Sequence, residues 1–130
     1  MNITIRMLGP EELEGVLELI SGIFPDVNPD ICEDDVVLVA ESGGKTVGFA
    51  HAVEDERRVV LHGIGVEESA RGNGIGSALI ERMLQIFSGS DKPMVLKTTL
   101  SNPALELYNS FGFSIRKFGA IHLLERKCEN

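Results

Sequence analysis

Arg71-Gly72-Asn73-Gly74-Ile75-Gly76 stands between an apolar run at residues 59–66 and a stretch, 75–87, in which apolar side chains recur at helical spacing. The N-terminus of a helix exposes backbone N–H groups that lack a partner, and it carries the positive end of the helix dipole. Glycines leave these groups open to an anion, and Arg71 adds a charge suited to phosphate. Residues 71–76 therefore predict a phosphate-binding loop between a strand and a helix.

Two other glycine-rich phosphate loops fit this sequence less well. A Walker loop ends in Gly-Lys-Ser/Thr, whereas Gly76 is followed by Ser77-Ala78. The dinucleotide fingerprint places its third glycine where Ser77 stands and belongs to a first βαβ unit. Here three strands of antiparallel type come first, so neither ATP nor a dinucleotide is the favoured ligand.

Alternation and helical spacing in the rest of the chain predict an α/β protein with the order β-α-β-β-β-α-β-α-β-β. Ser42-Gly43-Gly44-Lys45 reads as a hairpin turn, and Asn102-Pro103 reads as a helix N-cap followed by the first helical residue. The predicted strands are residues 2–7, 36–40, 46–53, 59–66, 94–100, 113–118 and 120–124, and the predicted helices are residues 11–22, 74–88 and 102–110. The 130 residues fit a single domain with one core.

The strand that leads into the loop contains Gly63 and Gly65. Glycine weakens a strand unless a bulge forms or another backbone approaches closely. A bulge here would free backbone groups to pair with an amide-bearing ligand such as pantetheine. A twisted strand with tolerated glycines is the alternative.

Composition and charge narrow the class of protein. Apolar residues make up 43% of the chain and charged residues 25%, which is typical of a globular protein. The net charge of −8 argues against nucleic-acid binding through a general basic surface. No apolar run suggests a membrane span or a signal peptide, so a cytoplasmic protein is expected. Cys32 and Cys128 are too few for a zinc site and are expected to be reduced thiols without a function.

Tyr108 is the single tyrosine of the chain. A phenol stays protonated at neutral pH, so it can donate a proton to a departing thiolate. A tyrosine on an amphipathic helix can equally serve packing alone.

Two stretches together resemble the signatures of the GNAT superfamily of acetyl-CoA-dependent N-acetyltransferases. Residues 71–76 match Gln/Arg-x-x-Gly-x-Gly/Ala. Residues 102–113 resemble Asn-x-x-Ala-x-x-x-Tyr-x-x-x-Gly-Phe, with the spacing kept from Ala104 to Phe113 and Asn102 one position closer to Ala104 than in that pattern. The order of elements also resembles that family from the first strand to the last. The resemblance implies a mostly antiparallel mixed sheet flanked by helices, here with the second N-terminal helix reduced or absent. It also implies a sheet that splays open between the strands at 59–66 and 94–100.

The resemblance further implies roles for individual residues, with acetyl-CoA as co-substrate and no metal. Tyr108 would protonate the coenzyme A thiolate, and Asn102 would hold the pantetheine arm or an ordered water. Backbone groups of Ile64, Gly65 and Val66 would meet pantetheine and polarise the thioester. The pyrophosphate would be surrounded by Arg71, Gly72, Asn73, Gly74, Ile75, Gly76 and Ser77.

The general base is left open. Many members of the family carry a glutamate on the strand before the phosphate loop, and His62 occupies the corresponding region here. An imidazole titrates near neutral pH and suits a base. His62 could instead be a surface or packing residue, and Glu67 and Glu68 are alternatives that could equally be simple loop charges.

Residues 25–35 hold five acids, Asp26, Asp30, Glu33, Asp34 and Asp35, with no basic residue between positions 22 and 36. In the family this segment lines the acceptor side, so we expect it to favour a cationic amine. An exposed acidic loop that aids solubility is an equal alternative.

The sequence as a whole predicts an N-acetyltransferase that moves an acetyl group from acetyl-CoA to a primary amine by direct attack in a ternary complex. A non-catalytic acyl-CoA-binding domain and a protein-interaction domain using the acidic face are the rival classes. The expected partner is an amine on a small molecule or protein, and the resemblance allows a homodimer.

Overall fold

The computed structural model describes residues 2–27, 29–98, 105–117 and 122–126, and these contain the predicted order of strands and helices. A single 3-10 turn, Glu68–Ala70, lies between the fourth strand and the second helix. The elements are β1 (Thr4–Met7), α1 (Leu13–Ile23), β2 (Val36–Ser42), β3 (Lys45–Glu54), β4 (Val59–Val66), α2 (Ile75–Ile86), β5 (Met94–Thr98), α3 (Leu105–Ser110), β6 (Ser114–Lys117) and β7 (His122–Arg126).

Most predicted boundaries are close but not identical to the observed ones. The predicted strand 2–7 begins only at Thr4, and the predicted helix 74–88 runs from Ile75 to Ile86. The predicted strand 120–124 corresponds to β7, which continues to Arg126. Hydrogen bonding sets element ends, and a hydrophobic pattern locates them only within a few residues. Residues 99–104, including the predicted N-cap Asn102, lie outside the described residues.

The described strands form one seven-stranded sheet in the order β1-β2-β3-β4-β5-β7-β6. β4 and β5 are parallel, and the other neighbours are antiparallel. The β4–β5 pairing covers only Val59–Leu61 against Met94–Leu96. Among the described residues, the pairing of β4 with β5 therefore ends at Leu61, and the predicted opening in the sheet lies there.

Apolar side chains from the central strands fall into two clusters, one on each face of the sheet. The cluster under α1 contains Val16, Ile20, Val37, Val39 and Phe49. The cluster under α2 includes Leu38, Ala40, Ala50, Ala52, Leu61, Leu79, Ile80 and Met83. One face of the sheet is thus covered by α1 and the other by α2.

A bulge interrupts β4 at His62. Gly63 pairs with His51 and Leu61 pairs with Ala52, so His62 is an extra residue on the β4 side. The extra residue reverses the alternation of side chains that follows. Leu61 and Ile64, which are three positions apart, consequently both contact the cluster under α2. The predicted bulge is confirmed, although the bulged residue is the histidine and not either glycine.

The two glycines of β4 are explained by the close approach of aromatic rings and not by the bulge. A Cβ on Gly65 would lie 2.7 Å from Cε1 of Phe49 and 2.9 Å from Cε2 of Phe24. A Cβ on Gly63 would lie 3.2 Å from Cε2 of Phe49. Phe24 and Phe49 themselves meet edge to face, with ring centroids 6.2 Å apart. Glycine at these positions lets the α1-side rings lie against the β4 backbone.

The segment between α1 and β2 is short. Its described residues, 24–27 and 29–35, contain turns but no helix, in keeping with the predicted loss of a second N-terminal helix. Within the described ranges, no helix is both long and apolar enough to cross a membrane.

Candidate active site

The phosphate loop has a backbone that only glycine adopts readily. Gly72 and Gly74 have φ angles of 83° and 76°, in the left-handed region, and Gly74 is the N-cap of α2. A Cβ at either position would meet no atom within 4 Å. The glycines are therefore required by the backbone conformation, and the space in front of them is open.

Hydrogen bonds hold this loop in place. The side-chain amide of Asn73 donates to the Ala70 carbonyl at 3.0 Å, and Nε of Arg71 donates to the Val66 carbonyl at 3.0 Å. The Ala78 N–H bonds the Gly74 carbonyl at 3.0 Å, in the first helical hydrogen bond of α2. The three N–H groups before it, those of residues 75–77, precede the first helical hydrogen bond. Such groups at a helix N-terminus can bind an anion.

These N–H groups border a cleft of about 190 Å³, the loop cleft. It is lined by the phosphate loop, by Val66 at the end of β4 and by Leu107 of α3. The structure thus brings together most of the predicted cofactor residues: Val66, Arg71, Gly72, Gly74, Ile75, Gly76 and Ser77. Asn73 is not among the residues that line the cleft, and its side chain holds the loop through the hydrogen bond to Ala70.

A second cavity, of about 490 Å³, lies on the α1 face of the sheet and is called the acceptor cavity below. His62, Gly63 and Ile64 at the bulge of β4 line it, and Tyr108 of α3 lines it as well. Its apolar walls come from α1, from the segment after α1 and from β3: Ile20, Phe24, Val27, Pro29, Phe49 and Val53. The two predicted catalytic side chains therefore border one cavity.

Tyr108 is buried and its ring meets that of Phe113 edge to face, with centroids 6.3 Å apart. Burial disfavours the charged phenolate and raises the pKa of Tyr108 above its usual value. The hydroxyl consequently stays protonated across the neutral range, as a proton donor must.

A pair of buried polar side chains also lines the acceptor cavity. Nε2 of His51 lies 2.8 Å from Oδ2 of Asp35, and the two side chains are 8% and 6% exposed. Burial acts to raise the pKa of Asp35, but the Cys32 N–H and the His51 ring outweigh it, so the pKa lies below its usual value. The His51 ring in turn stacks on His62, with centroids 5.4 Å apart and planes 29° apart.

The sequence reasoning missed His51. Alternation along β3 places it on the same face as Phe49 and Val53, so a buried polar side chain could have been suspected there. Its contact with Asp35 depends on the path of the segment before β2, and its contact with His62 depends on the bulge. Neither contact has a signal in the sequence.

The alternative bases lie elsewhere. Glu67 and Glu68 line an open cleft between α1 and the phosphate loop, together with Arg71. Oε1 of Glu67 lies 3.1 Å from Nζ of Lys45. Neither glutamate lines the acceptor cavity beside Tyr108.

Cys32 and two residues of the acidic segment, Asp30 and Asp35, line the acceptor cavity. The carboxylates of Asp35 and Asp30 raise the pKa of the exposed Cys32 thiol. The thiol therefore stays protonated and is a poor nucleophile. Cys128 lies outside the described residues. Among those that are described, no group of three or more His, Cys, Asp and Glu side chains is arranged to hold a metal ion.

Comparison with known proteins identifies the fold. Residues 33–115 match the model of the acetyltransferase (GNAT) domain family. No curated protein sequence gives a significant match.

Three solved structures illustrate the likeness of the fold. Naa50 of Arabidopsis thaliana, in complex with the bisubstrate analogue CoA-Ac-MVNAL, is 20% identical, with a TM-score of 0.86 over 98% of this chain and 99% of that one. The ribosomal-protein-S18-alanine N-acetyltransferase of Escherichia coli is 17% identical, with a TM-score of 0.86 over 99% and 96%. PaiA N-acetyltransferase of Thermoplasma acidophilum, in complex with coenzyme A, is 17% identical, with a TM-score of 0.80 over 98% and 99%.

The family model covers more than half of the chain and includes the phosphate loop and Tyr108. The opening in the sheet and the glycine conformations of the loop agree with it. The chain therefore belongs to the GNAT family of acetyltransferases.

Proposed function

We propose that this protein transfers an acetyl group from acetyl-CoA to a primary amine by direct attack in a ternary complex. The observation that carries the proposal is the position of residues 62–66 of β4 between the two sites. Val66 borders the loop cleft, while His62 and Ile64 border the acceptor cavity. A donor held at the phosphate loop would reach the acceptor cavity along this stretch of β4.

The donor would be held mainly by backbone groups. The N–H groups of residues 75–77 would bind the pyrophosphate, and backbone groups of Ile64, Gly65 and Val66 would pair with the amides of pantetheine. The Thermoplasma acidophilum enzyme holds coenzyme A and Arabidopsis thaliana Naa50 holds a coenzyme A conjugate, both on the same fold. Those complexes support acetyl-CoA as the co-substrate here.

Bond making and breaking would then occur at Ile64–Val66. The amine nitrogen attacks the thioester carbon, and backbone N–H groups near Val66 stabilise the oxyanion. The C–N bond forms, the C–S bond breaks, and Tyr108 protonates the departing thiolate. The protonated state that burial favours for Tyr108 is the state that this step needs.

His62 is the base that we favour, since it lines the acceptor cavity whereas Glu67 and Glu68 line another cleft. It would take the proton that the amine loses on attack. An imidazole performs this exchange well because it titrates near neutral pH.

The lining of the acceptor cavity suggests the class of amine. Apolar side chains form most of its walls, and the exposed carboxylate of Asp30 and the buried carboxylate of Asp35 line it as well. This combination fits a cationic amine that carries an apolar group, either on a small molecule or at the N-terminus of a peptide. Peptide acceptors belong in the test because the Naa50 analogue contains the sequence MVNAL and the Escherichia coli enzyme is named for ribosomal-protein-S18 alanine.

The test is amine-dependent release of coenzyme A thiol from acetyl-CoA. The panel contains a polyamine, an arylalkylamine, a peptide with a free apolar N-terminus and a peptide with only a lysine amine. We expect turnover with at least one apolar amine and none with its N-acetylated form, which is the matched control. Tight acetyl-CoA binding without turnover on any amine would instead identify a non-catalytic acyl-CoA-binding domain.

A further inference from the structure

Asp35, His51 and His62 are three polar side chains in successive contact. Only His62 has a role in the chemistry proposed above. They come from the segment before β2, from β3 and from the bulge of β4. The hydrogen bond from His51 to Asp35 measures 2.8 Å, and the ring centroids of His51 and His62 are 5.4 Å apart. These three residues are called the Asp35–His51–His62 cluster below.

The protonation of this cluster follows from its geometry. Asp35 also accepts the Cys32 N–H at 2.9 Å, and its pKa lies below the usual value, so the carboxylate is ionised at neutral pH. An ionised carboxylate only accepts hydrogen bonds, so Nε2 of His51 must carry the proton between them. That bond fixes the His51 ring, and the ring provides the flat surface on which His62 stacks.

The bulge explains why His62 is within reach of His51. In a regular strand His62 would face the same side as Ile64 and the opposite side from Leu61, but here Leu61 and Ile64 both contact the cluster under α2. Because His62 is the extra residue opposite His51, its ring stacks on the α1 side. The same bulge begins where the pairing of β4 with β5 ends. The bulge at His62 and the end of the pairing between β4 and β5 therefore lie at the same place in the strand.

We propose that Asp35 and His51 are positioning residues that orient His62 and stabilise the positive charge it gains when it takes a proton from the attacking amine. The inference rests on the proposed function, since it assigns these residues to the same reaction. The amine nitrogen loses a proton to a ring nitrogen of His62 as the C–N bond forms, and the departing thiolate is protonated by Tyr108. The negative charge of Asp35, held behind His51, favours the charged form of His62.

The other charged and titratable groups around the acceptor cavity are few. The segment before β2 contributes Asp30 and Cys32 beside Asp35, β3 contributes His51, and α3 contributes Tyr108. Ile20 of α1 and Phe24, the residue that follows α1, also line the cavity and are apolar. Among these described lining residues, Asp35 is the buried carboxylate in contact with an imidazole, and Asp30 is exposed.

The first experiment measures kcat/KM against pH for the wild type and for Asp35→Asn. Removal of the negative charge disfavours protonated His62, so the midpoint of the acid limb should move to lower pH. The plateau rate should fall by about 10-fold, because the base becomes weaker and less well oriented. Asp55→Asn is the matched control, since Asp55 accepts the N–H groups of Arg57 and Arg58 in the β3–β4 turn, away from the cavity. It should leave both the midpoint and the rate unchanged.

A double-mutant cycle separates positioning from a general structural role. His62→Gln should remove the acid limb assigned to the base. If Asp35 acts through His62, Asp35→Asn should cost about 10-fold in the wild type and less than about 2-fold in the His62→Gln background. Equal costs in the two backgrounds, with an unmoved acid limb, would overturn the proposal.

His51→Gln tests the middle residue. The glutamine amide can still donate to Asp35, but it offers no ring for His62 to stack on, so kcat should fall several-fold while the melting temperature is retained. A kcat equal to that of the wild type would show that His51 does not position the base.

The last measurement needs no turnover. The chain has three histidines, so the ring C–H signals of His62 can be assigned in a proton–carbon NMR spectrum with His→Gln variants. The titration of His62 should move to lower pH in Asp35→Asn and stay in place in Asp55→Asn. If the wild type acetylates no amine, the proposed function fails, and a shifted titration would still support the coupling within the cluster. An unshifted titration contradicts the inference alone.

Discussion

The phosphate loop and the Asp35–His51–His62 cluster are two sites of opposite construction. The loop is six consecutive residues, and its proposed chemistry lies in backbone N–H groups that glycines leave open. The cluster draws single side chains from three segments, and its geometry depends on a bulge and on the path of a loop. The proposed donor site is thus specified by contiguous residues, whereas the proposed proton-transfer site depends on the register of the sheet and on the path of a loop.

The largest expected effect falls on the acceptor side. Tyr108→Phe removes the proposed proton donor and keeps the ring, so kcat should fall roughly 100-fold. The Kd for acetyl-CoA should change by less than about 2-fold, because the hydroxyl acts on the leaving group and not on the pyrophosphate. Steady-state kinetics and calorimetry measure the two quantities.

Phe113→Leu is the control for packing, since Phe113 meets the Tyr108 ring edge to face. It should disturb the ring but keep the hydroxyl, and kcat should stay within a few-fold of the wild type. A fall in kcat as large as that of Tyr108→Phe would mean that Tyr108 serves packing alone.

The second effect separates the glycines of β4 from those of the loop. Gly65→Ala would place a Cβ 2.7 Å from Phe49 and 2.9 Å from Phe24, inside the core. Overpacking of this kind should lower the free energy of unfolding by about 1–3 kcal/mol, as measured by urea denaturation. Gly63→Ala, whose Cβ would lie 3.2 Å from Phe49, should cost less. If Gly65→Ala unfolds at the wild-type urea concentration, the close approach of the rings is not what requires glycine there.

The third effect is expected at the loop. Gly74→Ala introduces a Cβ at φ 76° with no protein atom within 4 Å, so it strains the backbone and enters the anion space. The Kd for acetyl-CoA should rise about 10-fold, which corresponds to about 1.4 kcal/mol.

Gly44→Ala is matched to this change, since Gly44 has φ 81° and no atom within 4 Å of its Cβ, but lies in the β2–β3 turn. It should lower the free energy of unfolding about as much as Gly74→Ala does, because the backbone strain is alike, and it should leave the Kd for acetyl-CoA unchanged. Equal effects of both variants on acetyl-CoA binding would remove the argument for an anion site at Gly74.

Much of the donor side could be predicted from the sequence, because contiguous residues specify it. The glycines at 72 and 74, the helix that follows them and the order of the strands each have a local pattern. The opening between β4 and β5 followed from the family resemblance, and the pairing that stops at Leu61 confirms it.

The acceptor side was less predictable. A bulge was expected from Gly63 and Gly65, but the extra residue is His62. The two glycines instead make room for the rings of Phe49 and Phe24. His51 was missed, and Asp35 was expected to attract the acceptor although it is buried against His51. Such contacts join residues 11 to 16 positions apart through register, and alternation alone does not reveal which of them meet.

The central claim is that this chain holds its donor at the phosphate loop and performs the chemistry in the acceptor cavity. Its most direct test is calorimetric titration of acetyl-CoA into the wild type, Gly74→Ala and Tyr108→Phe, with kcat measured on the same preparations. We expect Gly74→Ala to weaken binding about 10-fold and Tyr108→Phe to keep wild-type binding while it loses roughly 100-fold in kcat. Wild-type acetyl-CoA binding in Gly74→Ala, or a loss of binding in Tyr108→Phe as large as its loss of kcat, would contradict it.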